Sequence, residues 1–209
     1  MKNVTSVLKT LGKRYTETGM TDLGNPEDTL IATVLSAQTT DVQVLRVYPG
    51  LRKKFPTLTS LAKADWKDIA KEINTIGLFR TKAKSVKKLA QMLLEDFDGK
   101  VPSTMEELVR LPGVGRKTAS VVLSFCFGKP AIAVDTHVFR IARRLGWTKA
   151  KDAKRVELDL MKLVPEKQWS EINRTMVPFG RDICQARVPE CWRCPVAKWC
   201  AYPHKTPHP

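Results

Sequence analysis

No apolar run in these 209 residues approaches the ~20 that a membrane-spanning helix needs, so no membrane partner is expected. The N-terminus lacks the apolar core of a secretory signal, which argues against export. Negative charge is also short. Lys and Arg total 36 against 21 Asp and Glu, giving a net charge of +15 and a pI near 9.8. That imbalance points to a polyanion partner, most simply nucleic acid, rather than to a generic basic surface. No stretch of any length alternates polar and apolar residues as a strand would, so the fold is expected to be all-α. Internal repeats and low-complexity tracts are absent. Five cysteines without an export signal imply a reducing, cytoplasmic compartment and a metal site in place of a disulfide frame.

The common nucleotide signatures are missing too. Gly115-Arg116-Lys117-Thr118 resembles the end of a P-loop, but Arg116 separates glycine from lysine and the first glycine is lacking. Thr118 stands where a dinucleotide fingerprint needs its third glycine. What the region does hold is a helix, a turn and a helix. Ser103, with Glu106 three residues on, suits the N-cap of a short helix over residues 104–110. The turn is Pro112-Gly113-Val114-Gly115, and an apolar helix follows from about Arg116 to Cys126. Backbone N–H groups and the positive dipole end at that helix start suit a phosphate, which favours a nucleic-acid backbone over a base edge. A ligand-free helix–helix turn is the commoner use of such a spacing.

Lys117 lies in the first turn of that helix. The dipole and the neighbouring Arg116 disfavour its ammonium and favour the neutral, nucleophilic amine. A solvated or phosphate-pairing lysine is the ordinary alternative. Asp135 follows the apolar run 131–134 and precedes a helical run over 138–145. It suits an N-cap, and equally a group that takes a proton and steadies a developing cation.

Elsewhere, helical periodicity covers residues 3–15, ended by Gly19, then a helix from Glu27 and another over 42–55. One short helix is expected over 59–68 and a long one over 81–97. The long helix has Val86, Leu89, Ala90, Leu93 and Leu94 on its apolar side. Lys82, Lys84, Lys87 and Lys88 read as its solvated basic face. Further helices cover 155–163 and the stretch from Pro165. Cys184, Cys191, Cys194 and Cys200 then follow as C-x6-C-x2-C-x5-C. Four thiolates so close in sequence can hold zinc or a [4Fe–4S] cluster, and spacing alone leaves both open. Cys126, in an apolar helix, reads as core.

The run LPGVGRKTA followed by VDTHVFRIARRLG resembles the helix-hairpin-helix DNA glycosylases, specifically their endonuclease III branch. The likeness extends over nearly the whole chain, because the cysteine spacing matches that family's cluster loop. It implies a six-helix domain at residues 19–129. A second domain would combine residues 1–18 with 130–209 and hold a [4Fe–4S] cluster on the four cysteines, shielded by Trp192 and Trp199. Lys117 would be the nucleophile and Asp135 the carboxylate facing it across a groove. Gln38, in the SAQ segment, would fill the space left by a displaced base. Leu78, in the IGL turn, would wedge into the duplex. Gly113, Val114, Gly115, Arg116, His137 and Arg187 would be further DNA contacts.

The implied activity is that of a monomeric, bifunctional DNA glycosylase and AP lyase. It would remove oxidised pyrimidines from duplex DNA and nick abasic sites through a lysine Schiff base and β-elimination. Adenine-specific relatives lack the lysine and carry a further C-terminal domain; here the lysine is present and the sequence stops nine residues after Cys200. Phe179 departs from the family, where many close relatives carry histidine. A T/G or U/G mismatch glycosylase on the same scaffold is the nearest alternative. From other classes come a non-catalytic helix-hairpin-helix DNA-binding protein and a zinc-binding redox or scaffold protein.

Overall fold

Eleven α-helices, three short 3-10 turns and no strand make up the regular structure of residues 3–15 and 23–208, which the computed structural model describes. In chain order they are α1 (Val4–Gly12), α2 (Pro26–Leu35), α3 (Asp41–Lys54), α4 (Leu58–Lys63), α5 (Trp66–Glu72) and α6 (Phe79–Asp96). They continue as α7 (Met105–Leu108), α8 (Arg116–Cys126), α9 (Thr136–Arg144), α10 (Ala153–Leu163) and α11 (Trp169–Asp182). The chain divides into one unit of Met20–Gly128 and another of Met1–Gly19 with Lys129–Pro209. The expected domain boundary at 18/19 and the helix stop at Gly19 lie outside the described residues.

In the first unit, local chemistry sets most of the helix starts. The Asn25 side chain accepts from the Asp28 N–H at 2.8 Å, and Pro26 opens α2 where its missing N–H costs nothing. The single helix expected over 59–68 is two. Ala64 turns extended, and Asp65 starts α5 by accepting from the Lys67 N–H at 2.9 Å. Thr104, not Ser103, caps α7, accepting from the Glu107 N–H. Thr29 to Leu35 are all buried, so α2 is the central helix of this unit; α3, α6 and α8 pack on it. α6 buries Val86, Leu89, Ala90 and Leu93 and packs on α4 and α5, while Leu94 reaches the surface. Burying each such leucine stabilises the unit by roughly 1.5–3 kcal/mol. One expected surface group goes inside: Lys82 is only 5% exposed.

In the second unit, α1 lays Val4, Val7, Leu8 and Leu11 into a core built on α9 and α11, with Ile141, Ile172, Met176 and Phe179. Phe179 is 1% exposed and stacks at a tilt on Tyr15, with ring centroids 5.9 Å apart. The Tyr15 hydroxyl donates to Asp182 at 2.5 Å, and Asp182 also accepts from Arg193 at 2.8 Å. This carboxylate ties α1, α11 and the cysteine loop together.

Candidate active site

The two glycines of the turn differ in conformation. Gly113 has φ +81, and a Cβ there would lie 3.1 Å from both Ser85 Cβ and Val34 Cγ1. Conformation and space both require glycine. Gly115 is ordinary extended backbone at φ −96, and a Cβ there would meet nothing within 4 Å. Its bareness serves no protein contact. Val114 is buried and anchors the turn, while Gly113, Gly115 and Lys117 are exposed. The N-cap of α8 is Gly115, which has no side chain to cap the helix. No ion pair holds the Lys117 ammonium among the described residues.

In the same unit, Gln38 and Leu78 sit on neighbouring loops. Both are exposed, and both have left-handed backbone, at φ 55 and 58. Asp98 is the third such residue described, and it sits in an Asp-Gly turn where the conformation is tolerated. For glutamine and leucine the same conformation costs of the order of 1–2 kcal/mol each, which is the kind of local strain that clusters at functional sites.

The other unit holds Asp135 and His137. Asp135 is the N-cap of α9: its Oδ1 accepts from the Val138 N–H at 2.8 Å. The extended segment before it is pinned by a residue that sequence reading passed over. The Asn173 amide accepts from Ala133 N–H at 2.9 Å and donates to Ala133 C=O at 2.6 Å. No local pattern marks that pairing, because its partner is forty residues away. His137 takes the Arg140 Nη2 at its Nδ1, 3.1 Å away. Arginine only donates, so Nδ1 is the acceptor and a neutral ring carries its proton on Nε2. Burial pushes the imidazole below its usual value, with Arg140 and Arg181 acting the same way and Asp135 against them. The same guanidinium group donates to the Gly180 and Cys184 carbonyls.

Cys184, Cys191, Cys194 and Cys200 line one cavity with Phe179, Ile183 and Tyr202. Trp192 and Trp199, the expected shields, do not line it; Trp192 is exposed and its ring meets His208. Arg187 is exposed and also stands outside the cavity wall. Burial, reinforced by the other thiols, pushes Cys194 up to about 11, and burial raises Cys200 as well. Arg144 donates to the Cys184 sulfur at 3.4 Å, and Cys200 Sγ donates to the Arg144 carbonyl at 3.3 Å. Among the described residues, no three His, Cys, Asp or Glu side chains are arranged to hold a single metal ion. Cys126 is half-buried, not core.

A helix–glycine turn–helix in one unit and a four-thiol cavity in the other are features of one class of protein. Residues 31–166 match the HhH-GPD superfamily base excision DNA repair proteins. Endonuclease III of Synechocystis sp. is 44% identical over 201 residues, which cover 95% of this chain and 92% of that protein. A trapped endonuclease III–DNA covalent intermediate superposes with a TM-score of 0.89 at 41% identity, covering 95% of this chain and 94% of that one. A thermostable thymine-DNA glycosylase has a TM-score of 0.84 at 28% identity, covering 97% and 95%. The chain belongs to the HhH-GPD superfamily and, within it, to the endonuclease III family.

Proposed function

We propose that this chain is a bifunctional DNA glycosylase and AP lyase of base excision repair, with Lys117 as nucleophile. One observation carries the reading: an exposed lysine with no ion pair among the described residues, at the start of α8, beside Gly115, where an added Cβ would meet nothing within 4 Å. The bare Gly115 leaves room for a phosphate to reach the amides of the turn. The basic chain gathers duplex DNA, and a damaged nucleotide leaves the stack at a cost of a few kcal/mol, least where pairing is already weak. The Lys117 amine then attacks the sugar C1′ and the base departs with the electrons of the glycosidic bond. Asp135 takes the proton released by the amine and steadies positive charge on the sugar. The nitrogen lone pair then opens the C1′–O4′ bond, O4′ taking back the proton from Asp135, and the resulting Schiff base loses a C2′ proton, the C3′–O bond breaks, and the strand is nicked on the 3′ side. Gln38 and Leu78 occupy the gap in the duplex, where the strain in their backbones fits a role in DNA contact. Gly113, Val114, Gly115 and Arg116 bind the backbone, with His137 and Arg187 as outer contacts.

Cys184, Cys191, Cys194 and Cys200 would hold a [4Fe–4S] cluster. Four thiols lining one cavity suit a polynuclear group held by four cysteines, and their spacing is that of the resembled family's cluster loop. When bound, the cluster supplies a cross-link between the end of α11 and the cysteine loop. The positive charge of the bound iron would offset the penalty that burial sets on the Cys194 thiolate.

Borohydride trapping on an abasic duplex tests the reading. The wild type should give a covalent protein–DNA adduct and Lys117→Gln none; an adduct that survives the substitution overturns the assignment. A panel of duplexes, each with one oxidised pyrimidine, T·G or U·G pair, separates the substrate classes by base release.

A further inference from the structure

We infer that Lys82 is a positioning residue that joins the loops of Gln38 and Leu78 into one rigid wedge, an inference resting on the reading that both loops enter the duplex. Lys82 sits in the first turn of α6 and is 5% exposed. Its ammonium donates to Thr39 Oγ1 at 2.6 Å, while its backbone N–H donates to the Leu78 carbonyl at 3.0 Å. One residue therefore holds the neighbour of Gln38 with its side chain and holds Leu78 with its backbone. Gly77 completes the junction: a Cβ there would lie 3.7 Å from the Gln38 carbonyl and from Thr39 Oγ1. The two loops are in van der Waals reach, each carrying a left-handed, exposed, non-glycine residue at its tip.

A lysine is an expensive choice for this place. No carboxylate pairs with it among the described residues, and burial alone pulls its pKa down. The positive end of the α6 dipole adds to the cost. A methionine would fill the stem's space without either penalty. What methionine lacks is a donor able to reach Thr39 across the gap. The ammonium is retained for the position it imposes, because two loops tied at a common strut resist being pushed back when they part a base step.

Lys82→Met tests this, with Thr39→Val as the partner on the other loop. The readouts are melting temperature, affinity for undamaged duplex, single-turnover excision rate, and emission of 2-aminopurine opposite an abasic analogue. Lys82→Met should melt at or above the wild type and bind undamaged duplex equally. Its excision rate and 2-aminopurine amplitude should fall roughly tenfold, the factor expected for one hydrogen bond to a charged group. Thr39→Val should match it, and the double variant should lose no more than either alone. Lys82→Arg should recover part of the amplitude. A wild-type rate in Lys82→Met, alongside an impaired Leu78→Ala, overturns the strut. If Leu78→Ala and Gln38→Ala are both unimpaired, the loops do not enter the duplex and the underlying reading fails instead. Should Lys82→Met melt far below the wild type, Thr39→Val decides, and a wild-type rate there overturns the inference.

Discussion

Replacing Gly180 by alanine sets two effects of opposite sign against each other. Gly180 lies within α11 with ordinary helical backbone, where alanine is favoured over glycine by about 1 kcal/mol. Against this stands α9. A Cβ at Gly180 would lie 2.6 Å from His137 Nδ1, 3.0 Å from His137 Cβ and 3.1 Å from Arg140 Nη2. Ring rotation could relieve the first contact, but His137 Cβ is fixed to the α9 backbone, so the two helices must part by several tenths of an ångström. Overpacking of this kind costs about 1–3 kcal/mol. Disturbing the Arg140 bonds to Gly180 C=O and His137 adds about 1 kcal/mol each. The contacts win, and the net is a loss of about 2–4 kcal/mol. For a chain of this size that lowers the melting temperature by roughly 4–16 °C. Gly12→Ala is the matched control, because a Cβ there meets nothing within 4 Å and only the helix gain of up to about 1 kcal/mol remains. Circular dichroism melts of both variants decide the matter. If Gly180→Ala melts with or above the wild type while Gly12→Ala rises, the tight α9–α11 contact does not govern stability and the reasoning fails.

The remaining predictions concern the same unit. Asn173→Leu leaves the buried Ala133 N–H and C=O without their partner and should cost roughly 2–4 kcal/mol. If the pinned segment positions Asp135, the excision rate falls while duplex affinity holds; an unchanged rate would separate the Asn173 clasp from catalysis. Asp182 should shape acid stability. The hydrogen bond from Tyr15, then that from Arg193, hold its carboxyl below the usual range. Its stabilisation is therefore complete above the ordinary carboxylate value of about 4 and fades as the pH falls from there through the lower folded value. Asp182→Asn should melt lower at neutral pH and show a shallower acid limb in melts between pH 2 and 7; parallel curves for the two proteins would refute the linkage.

The all-α fold was legible in the sequence because helical periodicity, caps and turn glycines act over a few residues. Asp135 satisfies an N–H three positions on, as an acid ahead of a helical run should, and Gly113 supplies the left-handed backbone of the turn. The cysteine spacing likewise marked four thiols that do line one cavity. Tertiary packing decided what those local signals leave free. Lys82 reads as one of four surface lysines, yet the fold buries it against Thr39. Tyr202 and Phe179, rather than the two tryptophans between the cysteines, complete the wall of the thiol cavity. Asn173 finds Ala133 forty residues away. Periodicity tells which face of a helix is apolar; which distant group meets a given polar atom depends on how the helices cross, and only the folded chain fixes that.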